Sequence, residues 1–416
     1  MNDKPKIEIL AEKEKLIEGA KQNVDVLIRI TPPERQTERA RPKLNLGIAL
    51  DRSGSMDGSK MKEARDAAKF CVDNLLSSDR FSAVIFDDRV DVLFTNQAVT
   101  DRGMLHRGID RIEARGSTAL HEGWVKAGIQ VSEAQDQAAI NRVLLITDGL
   151  ANVGETNVDR IVSQARELAG CGISTTTIGI GRDFNEDLLL PMAEAGGGNG
   201  WHVREPQDMV GIFETELHGL SRQFAHAVRL RINAADGVRV TDLLNDFEQA
   251  ATGEYVLPNL LSGSPLEIVV RIELQSSAVL GNELFSVSLK YSPQSVRTTE
   301  LVETSFAAQV ARDRATMDAI ESNPEVVRAL QMLLNARARR EAMELIDKGD
   351  REGALHEVAF CMRQSAAAPA SVRNTDEFRD ELNDLDVLFA KLESSEDDVM
   401  ARKQMAYRRE SLRKGR

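Results

Sequence analysis

The sequence predicts an α/β fold: a doubly wound, mostly parallel sheet over residues 43–225, with short strands on both flanks and a helical region after residue 306. Three observations carry this. Two runs, Leu44–Leu50 and Val143–Thr147, are apolar nearly throughout, as strands buried on both faces are. Around them, strand-like segments at 81–86, 89–94, 173–180 and 201–203 alternate with helical periodicity at 59–76, 101–112, 119–135, 156–170, 184–195 and 206–224. Past Phe224 the alternation gives way to short strands separated by turn residues, a sandwich or barrel pattern.

Taken in order, Lys6–Ala11 and Asn23–Ile30 are strand-like. In the second, Val24, Val26, Ile28 and Ile30 recur at period two, with Leu27 the exception. Thr31–Pro42 is polar, charged and proline-bearing, and reads as a linker. The 59–76 helix places Met61, Ala64, Ala68, Cys71, Val72 and Leu75 on one face. Phe81–Phe94, turning at Asp87-Asp88, reads as a hairpin whose second strand forms an antiparallel edge. Helices are expected at 306–320, 324–347, 350–364 and 376–393, with Asn323-Pro324 and Gly349-Asp350 as breaks. The acidic 376–398 stretch and the basic Ala401–Arg416 stretch read as a solvated helix with a frayed tail, or as a charged docking arm. The expected divisions are therefore 1–42, 43–225, 226–305 and 306–416.

Composition narrows the function. The chain has 416 residues, enough for two or three domains, and 42% hydrophobic with 29% charged residues is an ordinary globular balance. A formal net charge of −13 argues against nucleic acid and anionic membranes as partners. The three cysteines, Cys71, Cys171 and Cys361, have neither metal-ligand spacing nor a disulfide framework, which points to a reducing compartment. Cys71 and Cys171 fall at apolar positions and read as buried packing residues. The polar start Met1–Lys6 and the absence of a span-length apolar run suggest a cytoplasmic protein.

The chemistry concentrates where the two apolar strands end. Asp51-Arg52-Ser53-Gly54-Ser55-Met56 follows the first and presents a carboxylate and two hydroxyls at alternate positions. Thr118 precedes another helical stretch, and Asp148-Gly149 closes the second strand. Oxygen side chains at the carboxyl ends of strands suit a hard divalent cation such as Mg²⁺. Asp-x-Ser-x-Ser, then a Thr, then a strand-terminal Asp-Gly is the pattern of the metal-ion-dependent adhesion site. Residues 43–225 thus resemble a von Willebrand factor type A domain with that site intact.

The resemblance implies that Asp51, Ser53, Ser55, Thr118 and Asp148 hold Mg²⁺ (or Mn²⁺ or Ca²⁺), the hydroxyls directly or through one water. The electron-poor ion then takes an Asp or Glu carboxylate from a partner protein. The flanking strands resemble a bacterial group with calcium-activated-chloride-channel-like names. In that group Lys6–Ile30 is expected to pair with 226–305 as one discontinuous β-sandwich, and no channel function is implied. Intracellular bacterial relatives act beside AAA+ ATPases of the MoxR class, or with kinases and phosphatases.

Other chemistries fit less well. Ser53 and Ser55 as mere caps of the 59–76 helix would leave Thr118 and Asp148 unexplained. The glycines at 179–181 and 196–200 lack a P-loop or dinucleotide pattern. Among the six histidines only His121, near Thr118, stands close to the motif. Gly149–Asn157 suits a surface loop near the ion, and Asp57, Asp87 and Asp88 read as turn and cap residues that could also line its rim. A dehalogenase-like phosphotransferase needs a second Asp where Ser53 stands, and a serine hydrolase needs a nucleophile elbow and a His base. The reading is therefore a non-enzymatic, metal-dependent protein-binding scaffold. The alternatives are an assembly protein with a purely stabilising metal and an interacting helical C-terminus, or, more distantly, a metal-dependent hydrolase.

Overall fold

The computed structural model describes residues 4–34, 42–136, 138–294, 298–394 and 398–415. The chain divides into two compact units. One comprises residues 37–223 with 294–297. The other is assembled from 1–36, 224–293 and 298–416.

The first unit is an α/β sandwich of helices on a single sheet. Its strands are β1 (Leu44–Asp51), β2 (Arg80–Phe86), β3 (Val90–Ala98), β4 (Ile140–Thr147), β5 (Ile173–Ile180) and β6 (Gly197–Val203). Their order across the sheet is β3-β2-β1-β4-β5-β6. All neighbours are parallel except β3, the antiparallel edge expected from the Phe81–Phe94 hairpin. Every residue of β1 and β4 is buried, which is why both strands lack polar–apolar alternation. The chain leaves β1 for β2 on one side and leaves β4 for β5 on the other, so a crevice opens beyond the carboxyl ends of β1 and β4.

The helices are α1 (Ser59–Asn74), α2 (Arg102–Ile109), α3 (Leu120–Ser132), α4 (Val158–Gly170), α5 (Glu186–Ala195) and α6 (Met209–Ser221). The apolar face of α1, with Met61, Ala64, Ala68, Cys71 and Val72, joins Leu46, Ile48, Leu144 and Ile146 in one core. Fully burying the Met, Val, Leu and Ile side chains among these stabilises by roughly 1.5–3 kcal/mol each. On the other face α3 lies close to the sheet. A Cβ on Gly123 would stand 2.3 Å from Phe86, and one on Gly47 would stand 2.6 Å from Val131. Those two glycines set the height of α3, and with it the position of the loop that carries Thr118.

The second unit contains two antiparallel sheets. One orders Lys6–Ala11, Gln22–Thr31, Leu266–Leu274 and Val238–Leu243, with Ile28 opposite Ile268. The other orders Tyr255–Val256, Gln223–Ala234, Phe285–Pro293 and Glu300–Phe306. Val26, Ile28, Ile268, Val270, Leu230, Val287 and Leu289 share one core. Four longer helices, Pro324–Asp347, Arg351–Ala366, Asp376–Ser394 and Asp398–Arg413, follow. The Asn323 and Asp350 side chains cap the first two.

Several expectations are corrected. Residues 306–320 are not one helix: Glu300–Phe306 and Gln309–Ala311 are strands, and only Arg314–Asp318 is helical. Gln309–Ala311 pairs in parallel with Lys15–Ile17, a short strand the local sequence did not announce. The basic tail is neither frayed nor a free arm. Asp398–Arg413 buries Ala401, Met405 and Leu412, and Arg413 Nε donates to the Asn245 carbonyl at 2.6 Å while its guanidinium faces the Phe247 ring. Cys171 is exposed rather than packed, whereas Cys71 is buried. The proposed linker 31–42 falls partly outside the described residues, at 35–41. Among the described residues no helix is long and apolar enough to cross a membrane.

Candidate metal centre

β1 and β4 are neighbours in parallel register, with Leu50 opposite Ile146, so Asp51 and Asp148 emerge side by side. Both carboxylates are fully buried. Asp51 Oδ1 accepts the Ser53 backbone N–H at 2.7 Å, and its Oδ2 accepts the Thr147 hydroxyl at 2.5 Å. The chain then makes a short 3₁₀ turn, Gly54–Met56, before α1 begins. Gly58, at φ 76°, is the residue that precedes α1, and no side chain caps that helix. Ser53 and Ser55 are therefore not its caps. Their hydroxyls lie 3.1 Å apart, and Ser55 Oγ donates to Asp148 Oδ1 at 2.7 Å.

Thr118 reaches the same place through a second loop. Gly54 N–H donates to the Gly116 carbonyl, Arg115 N–H to the Arg52 carbonyl and Ala119 N–H to the Asp87 carbonyl. Asp87 anchors this loop electrostatically. Its buried carboxylate meets Arg52 Nε at 2.9 Å and Arg115 Nε at 2.7 Å. Burial alone would push this carboxyl up, but the Arg115 and Arg89 hydrogen bonds and the two guanidinium charges bring it below the usual range. Asp87 is thus more than a turn residue, whereas Asp88 and Asp57 are exposed. From the other side, Asn152 and Val153 donate backbone N–H groups to the Thr118 carbonyl, and Asn152 Oδ1 accepts from Thr118 N. The 149–157 loop is therefore tied to the residue it borders.

The donors come together beside Gly149. A Cβ on Gly149 would stand 3.3 Å from Thr118 Oγ1, 3.8 Å from Asp51 Oδ2 and 3.9 Å from Ser55 Oγ. Two carboxylates and three hydroxyls form an all-oxygen set suited to a hard cation rather than a thiophilic one. Among the described residues no group of three or more His, Cys, Asp or Glu could hold a metal, so hydroxyls have to supply part of any cation's shell here. His121 is directed elsewhere, with Nε2 2.6 Å from Gln164 Oε1.

Burial pushes the Asp51 carboxyl up to about 6 against the hydrogen bonds of Thr147 and Ser53, and the nearby Asp148 charge adds to the rise. Two participants escaped the sequence reading. Thr147 lies within a strand, where a hydroxyl is unremarkable, although its place next to Asp148 was a signal. Lys60, on the first turn of α1, sets its ammonium on Asp148 Oδ2.

Residues 45–214 match the family model of the von Willebrand factor type A domain. The chain carries a von Willebrand factor type A domain. Domains of this type commonly bind a divalent metal and often mediate protein–protein interactions. The uncharacterized protein sll0103 of Synechocystis is 26% identical over 330 residues, 66% of this chain and 76% of that protein. The YfbK protein of Escherichia coli is 26% identical over half of this chain. The mouse inter-alpha-trypsin inhibitor heavy chain H2 is 27% identical over 56% of it. The matched segments span only 36% and 26% of those two proteins. Among solved structures, a von Willebrand factor type A protein from Catenulispora acidiphila superposes with a TM-score of 0.69 at 19% identity, covering 92% of this chain and 89% of its own. The ArnB paralog VWA2 from Sulfolobus acidocaldarius gives 0.60 at 16% identity, covering 99% and 98%. These two show a shared fold.

Proposed function

We propose that this type A domain is a metal-dependent adaptor that captures a carboxylate of a partner protein, acting by recognition rather than catalysis. The observation that carries the reading is that oxygens of Thr118, Asp51 and Ser55 all lie within 4 Å of where a Cβ on Gly149 would stand, beside Asp148. Asp51, Ser53, Ser55, Thr118 and Asp148 would hold Mg²⁺, or Mn²⁺ or Ca²⁺ in its place. With hydroxyls as several of the donors, the ion keeps Lewis acidity for an incoming Asp or Glu. The chain's own residues do the rest. Asp87, through Arg52 and Arg115, holds the Thr118 loop in place, and the 149–157 loop frames the approach.

The partner is a protein presenting an acidic side chain; an AAA+ ATPase or a signalling kinase or phosphatase fits the family context. The proposed setting is a bacterial cytoplasm; free Cys71, Cys171 and Cys361 fit the reducing-compartment part of that reading. The test is affinity capture in Mg²⁺ and in EDTA with wild type and Asp51→Ala, followed by substitution of the captured protein's contacting Asp or Glu. A protein held only by wild type in Mg²⁺, and lost when its own carboxylate is removed, is the expected result. Identical capture in every lane would end the reading and favour the helical segments after residue 324 as the interacting element.

A further inference from the structure

Lys60 is placed where a purely solvated lysine would not be. Lys62, two residues further along the helix, lies in solvent and pairs with its own helix neighbours Glu63 and Asp66. Lys60 instead runs back across the crevice. Its stem lies on Gly181, just past β5, where a Cβ would be 3.7 Å from Lys60 Cε and 3.8 Å from Nζ. Its ammonium ends on Asp148 Oδ2, while Asp148 Oδ1 takes the Ser55 hydroxyl. Asp148 is fully buried, but the Lys60 side chain keeps 24% of its surface exposed. A full positive charge therefore sits on one of the two carboxylates assigned to the cation, on a stem with a free path to water.

We propose that Lys60 is a built-in competitor for the metal, so that loading the centre requires its ammonium to leave Asp148. The inference rests on the metal-site reading above. An ammonium and a divalent cation draw on the same carboxylate, and their charges repel across the few ångströms of a shared site. A lysine suits the task, because its compact, strongly hydrated charge rides on a flexible stem and is released into water without leaving a buried cation behind. The Asp148 carboxylate is then held in place at low metal, and the centre switches over a range of metal concentration rather than remaining permanently filled.

The experiment is calorimetric titration of the full chain with Mn²⁺ alone, using wild type, Lys60→Met, Lys62→Met and Asp51→Ala, with melting curves in EDTA and in Mn²⁺. Loss of a charge-assisted bond to Asp148 predicts that Lys60→Met binds Mn²⁺ roughly tenfold or more tightly than wild type. Lys62→Met should change affinity by less than about twofold, since its charge is exposed and screened. Lys60→Met should also melt below wild type in EDTA and gain more than wild type from Mn²⁺. Equal or weaker binding by Lys60→Met overturns the proposal. So does an equal gain from Lys62→Met, which would mean a general field rather than direct competition. If neither wild type nor Lys60→Met takes up Mn²⁺, the metal-site reading itself fails and this inference falls with it.

Discussion

Two buried acidic centres occupy opposite ends of one strand, and they are satisfied in opposite ways. At the start of β4, Glu216 meets Arg142 at 2.7 Å and accepts further hydrogen bonds from Thr176, Asn199 and Trp201. At the far end, Asp51 and Asp148 lean on hydroxyls, a backbone N–H and one lysine. Burial pushes Glu216 up, yet the Arg142 charge and those hydrogen bonds leave it below its ordinary value. Asp51, equally buried, stays raised at about 6. The lesson is that burial alone does not mark a functional carboxylate. A guanidinium with neutral donors closes the Glu216 centre, whereas neighbouring like charges and rotatable hydroxyls leave the Asp51 centre able to gain from a cation.

The largest expected effect breaks the closed centre. Glu216→Ala strands Arg142 in the interior and should cost about 3–5 kcal/mol of stability, measured by denaturant unfolding. Mn²⁺ affinity, read by titration, should stay within about twofold, because six residues of β4 separate the two centres by roughly 20 Å. A large loss of metal binding in a folded Glu216→Ala protein would mean that the two ends are coupled.

A smaller effect of opposite sign sharpens the contrast. Because the folded-state pKa of Asp51 lies above its ordinary 3.8, the folded protein holds that proton more tightly than the unfolded chain does. Its contribution to stability in EDTA therefore falls as pH rises from about 4 to about 6 and levels off above that. Glu216 has the reverse dependence, losing its contribution as pH falls below its ordinary 4.5. Asp51→Asn should thus raise stability near neutral pH in EDTA by about 1–3 kcal/mol while abolishing Mn²⁺ binding. Destabilisation by Asp51→Asn at neutral pH would show that the ionised carboxylate is already fully compensated.

The same contrast explains what the sequence displayed and what it hid. Asp51, Ser53, Ser55, Thr118 and Asp148 come from three separated stretches, and they were legible because each follows an unmistakable strand or precedes a helix. β1 was read to within one residue from its apolar run, β5 was expected at 173–180 as found, and the helix Pro324–Asp347 begins at the expected Asn323-Pro324 break. Lys60 was not legible, since a lysine in a first helical turn has no local mark distinguishing it from Lys62; only the fold brings Gly181 and Asp148 to it. The parallel pairing of Val310 with Leu16 was hidden for the same reason, being a contact between distant parts of the chain. The strand Glu300–Phe306 was not read, because its sequence does not alternate cleanly: Leu301 faces outward while Glu300 and Thr304 are half-buried. In the basic C-terminal helix, charge concealed an apolar face. Lys403 and Arg413 are both buried there, since long stems pack while their charged ends find partners.

The smallest predicted change in stability isolates the open space itself. Gly149→Ala adds one methyl group at a position 3.3 Å from Thr118 Oγ1 and within 4 Å of Asp51 Oδ2 and Ser55 Oγ, without removing any donor. Thr118 has to give by a few tenths of an ångström, so unfolding free energy should change by less than about 1 kcal/mol. On the proposed metal reading, however, the cation sits among these same oxygens, and its ligand distances tolerate little displacement. Mn²⁺ affinity should fall about tenfold or more, with the Glu216 centre and the pH dependence of stability in EDTA unaffected. If the alanine protein binds Mn²⁺ as wild type does, the convergence on Gly149 is packing alone, and the Asp51 centre would be as closed as that of Glu216.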